Sequence, residues 1–141
     1  MKNKLKWYSI LLFGLVLLLA SSVIACQPAP VPPPPNLPKP IAVPWYEARD
    51  HISERTTVSG PIVNTHWASG SKGKPTFLNI GKPYPDPNRF TVVIWIDYRA
   101  NFPQSPEKYY LGKTIFVTGL ITEYKGIPQI EVKTPDQIEE Q

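Results

Sequence analysis

The sequence predicts an all-β domain: a small barrel of five strands in Greek-key order, with one short helix between strands three and four and another ahead of strand one. Three observations lead there. Between Thr57 and Val132 the chain offers short runs rich in β-branched and aromatic residues, divided by turns rich in Gly, Pro and Asn. Apolar positions within several runs alternate, as strands with one inward face require. Cys26 is the only cysteine, so no internal disulfide holds the fold and a packed core must do so.

The chain opens with Lys2, Lys4 and Lys6, then runs uncharged from Trp7 to Cys26. A basic start, an apolar stretch and small residues at its end make an export signal. The same stretch is long enough for a membrane span, which needs about 20 apolar residues. An uncleaved anchor is therefore one alternative, and a soluble secreted form is another. Val23-Ile24-Ala25-Cys26 resembles the lipobox of bacterial lipoproteins. The resemblance implies that residues 1–25 are a signal peptide and that Cys26 carries a lipid anchoring the chain to the bacterial membrane. All three readings place the remainder outside the cytoplasm.

Residues 26–44 form a spacer. From Gln27 to Pro40 prolines recur too often for helix or sheet, so the segment is expected to be extended polyproline II. At about 3.1 Å per residue it would hold the domain up to roughly 40–50 Å from the membrane. The alternative, a ligand for a proline-recognition module, is set below this stand-off tether. Charge follows the same division. The formal net charge is +4, but from Ile41 onward eleven Lys and Arg face eleven Asp and Glu. The domain is thus neutral, and basicity is no argument for nucleic-acid binding.

The domain proper is expected over residues 45–138, with a frayed tail at 139–141. Trp45, Ala48 and Ile52 are spaced for a short helix after Pro44. Arg55 to Trp67 reads as strand one, with Gly60-Pro61 marking a bulge or coil. Ala68 to Pro75 is a loop. Phe77 to Ile80 and Phe90 to Ile96 are strands two and three. The stiff tip between them has three alternating prolines and carries Lys82, Tyr84 and Arg89. Ser105, Pro106 and Gly112 are placed to cap, start and stop a helix. Lys113 to Lys125 is strand four, and Gln129 to Val132 is strand five, joined by a turn at Gly126.

That element order fits an OB-fold, a five-stranded partly open Greek-key barrel. Thr57-Val58-Ser59-Gly60-Pro61-Ile62-Val63 resembles the opening strand of nucleic-acid-binding OB domains. Lys113 to Ile121 resembles their fourth strand, and Tyr124-Lys125-Gly126-Ile127-Pro128-Gln129-Ile130 their closing hairpin. Thr76 to Lys82 resembles the second strand of small exported bacterial OB-fold proteins. The resemblance implies a binding module that engages single strands through strands two and three and the loops beside them.

On that reading the stacking candidates are Trp67, Phe77, Tyr84 and Trp95, and the phosphate candidates are Lys72, Lys74, Lys82 and Arg89. For Phe77 and Trp95 the competing reading is barrel core. The partner is then single-stranded nucleic acid or another polyanion, beside the membrane reached through the lipid. The alternative is an interaction or structural domain for envelope proteins that binds no nucleic acid. Neither cofactor nor metal is expected, and no enzyme activity. Asp86 and Asp97 lack the clustered acids and paired arginines that staphylococcal-type nucleases place on an OB barrel. His51 and His66 have no metal-ligand spacing. Cys26→Ser is expected to abolish lipid labelling of the expressed chain; a labelled band of unchanged intensity would contradict the lipobox reading.

Overall fold

The computed structural model describes residues Ile41 to Gln141; the signal, Cys26 and the spacer up to Pro40 lie outside them. The strands are β1 (Val43–Pro44), β2 (Arg55–Trp67), β3 (Thr76–Ile80), β4 (Phe90–Ile94), β5 (Thr114–Tyr124), β6 (Ile127–Glu131) and β7 (Ile138–Glu140). Two helical turns, α1 (Ile96–Arg99) and α2 (Pro106–Tyr109), lie between β4 and β5. The sheet runs β1-β2-β3-β4-β6-β5-β7, and an added β2–β5 pairing closes a ring of five strands. The OB-type barrel is thus present. All ring pairings are antiparallel except β4 with β6.

Ring closure is carried by β2. Arg55 to Pro61 pair with β5, and Ile62 to Trp67 pair with β3. The register shifts between Ile62 and Asn64, so the bulge falls at Val63, just beyond the expected Gly60-Pro61. Gly60 has a different task. A Cβ there would strike Trp45 and Ile80, and one on Gly81 would enter the Trp45 ring. The two glycines therefore make the bed on which the indole lies. The core behind it includes Val58, Ile62, Leu78, Ile80, Phe90, Val92 and Ile94. Ile115, Val117, Ile121 and Ile130 complete it from β5 and β6. These are the inward positions of the alternating pattern.

Three expectations at element ends change. The helix expected over Trp45 to Glu54 shrinks to a 3-10 turn at Ala48–His51. Pro44 pairs in β1 instead, and the Trp45 amide donates to the Ser59 carbonyl at 2.9 Å. Strand three was expected to reach Ile96, but β4 ends at Ile94. Thr76↔Ile94 is the last pair that β3 can offer, so Trp95 turns the chain into α1. β-propensity yields where no partner strand remains. Glu139 and Glu140, expected to fray, pair with Phe116 and Ile115. Among the described residues no helix is long and apolar enough to cross a membrane.

Gly60→Ala is expected to lower stability by about 1–3 kcal/mol through overpacking against Trp45. Gly81→Ala, where φ is 75°, adds backbone strain and should lower it further. Denaturant midpoints of both variants check this, and a Trp45→Leu background should recover part of the Gly60→Ala loss.

Candidate functional site

Two loops and one sheet face frame the site. Residues 68–75 leave one end of β3, and residues 81–89 leave the other. Cross-strand pairs put Asn64, Asn79 and Thr91 in one row of the outer face, and His66, Phe77 and Val93 in the next. The first row is a hydrogen-bonded ladder. Asn79 Nδ2 donates to Asn64 Oδ1 at 2.8 Å, and the Thr91 hydroxyl donates to Asn79 Oδ1 at 3.0 Å. The Tyr84 backbone N–H reaches the same Asn64 oxygen at 3.4 Å, so the 81–89 loop folds back toward the ladder. This outer face is largely covered: Asn79 is 3 %, Thr91 5 % and Val93 1 % exposed.

The tip loop presents Lys82 and Tyr84, the latter 69 % exposed. Arg89 is half-buried beside them. Its guanidinium lies 5.2 Å from the Tyr84 ring centre, and Nη1 donates to the Asp86 carbonyl at 2.7 Å. Its buried Nε has no partner among the described residues. At the other end, Lys72 and Lys74 are exposed. Trp95 packs under their loop, its ring against Gly73, whose carbonyl accepts the Ile96 N–H at 3.2 Å. Phe77 is half-buried on the outer face. Neither Phe77 nor Trp95 belongs to the barrel core, so the core reading of both is corrected.

Trp67 stands apart. It pairs with Thr76, on the opposite face from Phe77, and is 40 % exposed at the barrel end. The Arg99 guanidinium covers its ring at 4.3 Å. Arg99 also donates to the Thr76 hydroxyl at 2.6 Å and forks onto the Glu107 carboxylate at 2.8 and 3.0 Å. The Arg99 hydrogen bond holds the Glu107 carboxyl below its ordinary value near 4.5. The eight candidates therefore divide. Tyr84, Arg89 and Lys82 share one end; Lys72, Lys74 and Trp95 share the other. The five-residue β3 between them spans about 17 Å.

One group was not anticipated. Because β6 runs parallel to β4, the Lys125-Gly126 turn lies at the same end as residues 81–89. Arg49 straps the two: Nη1 donates to the Gly126 carbonyl at 2.8 Å and Nη2 to the Pro87 carbonyl at 3.2 Å. Tyr124, 61 % exposed, has the Lys125 ammonium 5.4 Å from its ring centre. In sequence Tyr124-Lys125-Gly126 signals only a turn, and Arg49 only a helix face. Among the described residues no group of three or more His, Cys, Asp and Glu is placed to hold a metal ion.

No protein-family model matches the chain, and no curated protein matches it. Among solved structures it is similar to a candidate aspartyl-tRNA synthetase from Leishmania major Friedlin, with TM-score 0.49 and 11 % identity over 79 % of this chain and 23 % of that one. It is also similar to asparaginyl-tRNA synthetase from Pyrococcus horikoshii, with TM-score 0.46 and 14 % identity over 71 % of this chain and 23 % of that one. The aspartyl tRNA synthetase from Entamoeba histolytica gives 0.45 and 10 % over 67 % of this chain and 20 % of that one. The chain thus spans under a quarter of those proteins, and the functional reading rests on its own residues.

A depressed carboxyl stabilises the fold above its unfolded pKa, and that contribution fades as pH falls through the folded value. Glu107→Gln is therefore expected to destabilise at neutral pH by about 1–3 kcal/mol, since the charged hydrogen bonds to Arg99 are lost. The gap to the parent should narrow as pH drops below about 4.5, the ordinary value. Thermal melts across that range check the sign.

Proposed function

We propose that this domain is a membrane-anchored, extracytoplasmic binding module for single-stranded nucleic acid or a similar polyanion, and that it binds without catalysis. The observation that carries the reading is the strapped loop pair. Tyr84 with Arg89 and Tyr124 with Lys125 stand on two loops that Arg49 ties together, with Lys82 beside them. Exposed rings next to cations are what a single strand needs: bases stack, and phosphates meet positive charge. The barrel type supports the same reading, because OB-folds use the face and loops around strands two and three. Anchoring through a lipid on Cys26 and the extracytoplasmic address rest on the lipobox resemblance.

Binding on this model of contact is weak and salt-sensitive. Three cations, Lys82, Arg89 and Lys125, correspond to a slope of about −2 in log K against log salt for a single strand. With fluorescent oligothymidylate and the full chain in detergent micelles, anisotropy should rise at low ionic strength. Tyr84→Ala with Tyr124→Ala should weaken binding about tenfold or more while the melting curve holds. No anisotropy change at low salt would overturn the proposal. The strand should be recovered intact after incubation with calcium; shortened product would assign catalysis instead. The neutral charge from Ile41 onward favours a second reading, an envelope-protein partner. Retention of such a partner by the double tyrosine variant, without any oligonucleotide binding by the parent, would support it.

A further inference from the structure

Tyr84, Tyr124 and the cations beside them offer stacking and charge, and a bare polyanion could use the charge alone. The sheet next to them adds a different chemistry. The row of Asn64, Asn79 and Thr91 does not stop at β4. Thr91 pairs with Gln129 of β6, and Gln129 pairs with Thr122 of β5. Ile130 lies in the core and Pro128 is buried, so Gln129 between them points outward by the alternation of a strand. Its side chain differs from the others in the row. Asn64, Asn79 and Thr91 are bonded to one another, and the Thr122 hydroxyl donates to the Gln129 backbone carbonyl at 3.4 Å. The Gln129 side-chain amide is half-buried and makes no hydrogen bond among the described residues. The row is closed from β2 to β4 and ends in a free amide on β6.

That amide sits beside the stacking rings. Tyr124 pairs with Ile127, two residues before Gln129. Diagonal neighbours of this kind lie about 7–8 Å apart, within reach of long side chains. Arg89 immediately precedes β4 and shares the outer side with Thr91, the partner of Gln129. Further along β6 on the same face comes exposed Glu131, whose carboxylate is in no ion pair among the described residues. Charge is therefore graded along this face. Lys82, Arg89 and Lys125 stand at the strapped end, an uncharged amide lies one step in, and a carboxylate lies beyond it. A chain of phosphates alone matches the first step and is repelled by the last. A nucleotide matches the whole series, because its charge is on the backbone and its base offers hydrogen-bonding groups.

We propose, on the premise that the strapped loops bind a polyanion, that Gln129 reads a base there and that the ligand class is a base-bearing single strand, not a bare polyanion. With a base stacked on Tyr124, the Gln129 amide presents N–H donors and a carbonyl acceptor to its edge. Unstacked bases are recognised through such edges, which carry donors beside acceptors. Turning the amide over matches either order, so the contact separates a base from no base more than one base from another.

The experiment uses the full chain in detergent micelles at low ionic strength. Its probes are labelled oligothymidylate, the same oligomer built from N3-methylthymidine, and end-labelled inorganic polyphosphate of matched charge. The methyl group removes the N3–H donor and leaves the ring and the phosphates in place. The parent should bind the methylated oligomer about tenfold more weakly. Gln129→Leu should bind both oligomers alike, at the lower affinity, and polyphosphate as the parent does. Equal affinity of the parent for the two oligomers would overturn the proposal, and that comparison needs no variant to fold. Undiminished discrimination by Gln129→Leu with an unchanged melting curve would overturn the assignment to Gln129. Polyphosphate binding without oligothymidylate binding would overturn base reading and leave a polyanion site. Binding of no probe would overturn the strapped-loop site itself, and the role of Gln129 with it.

Discussion

The partner switch of β2 is the constraint on which the rest depends. One strand must pair with β5 over its first half and β3 over its second, or the sheet remains open. A strand can serve two neighbours at different angles only if it coils sharply, and the bulge at Val63 supplies that turn. Gly60, just before it, removes the side chain that would otherwise meet Trp45 and Ile80. The indole then seals the barrel from outside the ring while β1 fixes its backbone at Ser59. Gly119 does the matching service across the barrel, where a Cβ would meet Ile130. Closure is therefore a matter of absent side chains as much as of apolar ones.

Closure also decides where a ligand can be met. A sheet curved this tightly buries one face completely, and the other would normally be available. Here the outer face is itself largely consumed. The Asn64–Asn79–Thr91 ladder satisfies its own polar groups, and the tip loop folds back to it through Tyr84. Buried amides that are paired resist opening, because an unpaired one costs about 1–3 kcal/mol. The accessible chemistry is pushed to the two ends of β3. At one end two loops are strapped into a single unit; at the other, a single loop packs on Trp95.

Much of the barrel was legible in the residues, and the reasons for the gaps are physical. Alternation of Ile115, Val117 and Ile121 sets a face whatever surrounds it, so the core was readable. The end of β4 was not, because Trp95 to Tyr98 continues the β-rich run and only the exhausted β3 register stops it. Phe77 shows the same limit at the level of one residue: an aromatic in a strand reads as core or as surface until its cross-strand partners are known. Glu107 and Arg99 lie eight positions apart across two helical turns, a spacing with no local meaning. Tyr124 and Arg49 likewise belong to segments whose turn and helix signals are complete without them. Partners brought together by topology leave no mark in periodicity.

The distribution of cations argues for one end of the barrel over the other. Among the described residues five aromatic rings have a cation over them, but the cations are not equally free. Arg99 over Trp67 is committed to Glu107, and Lys113 over Tyr109 to Glu140. A phosphate approaching either would have to displace a carboxylate already in contact, and on a neutral domain no long-range field compensates for that. Among the described residues Lys125 beside Tyr124 makes no such carboxylate contact, and Arg89 beside Tyr84 gives one nitrogen to a backbone carbonyl. Their charge remains available within reach of an exposed ring. Trp67 and Tyr109 thus keep aromatic surface whose own cation is already neutralised, and the free charge near Trp67 is that of exposed Lys72 and Lys74 on the loop that follows it. The two ends of one small barrel thus differ in which ring-covering cations have been neutralised: at the strapped-loop end, exposed Tyr84 and Tyr124 each stand beside a cation in no ion pair among the described residues, whereas the cation over Trp67 is committed to Glu107.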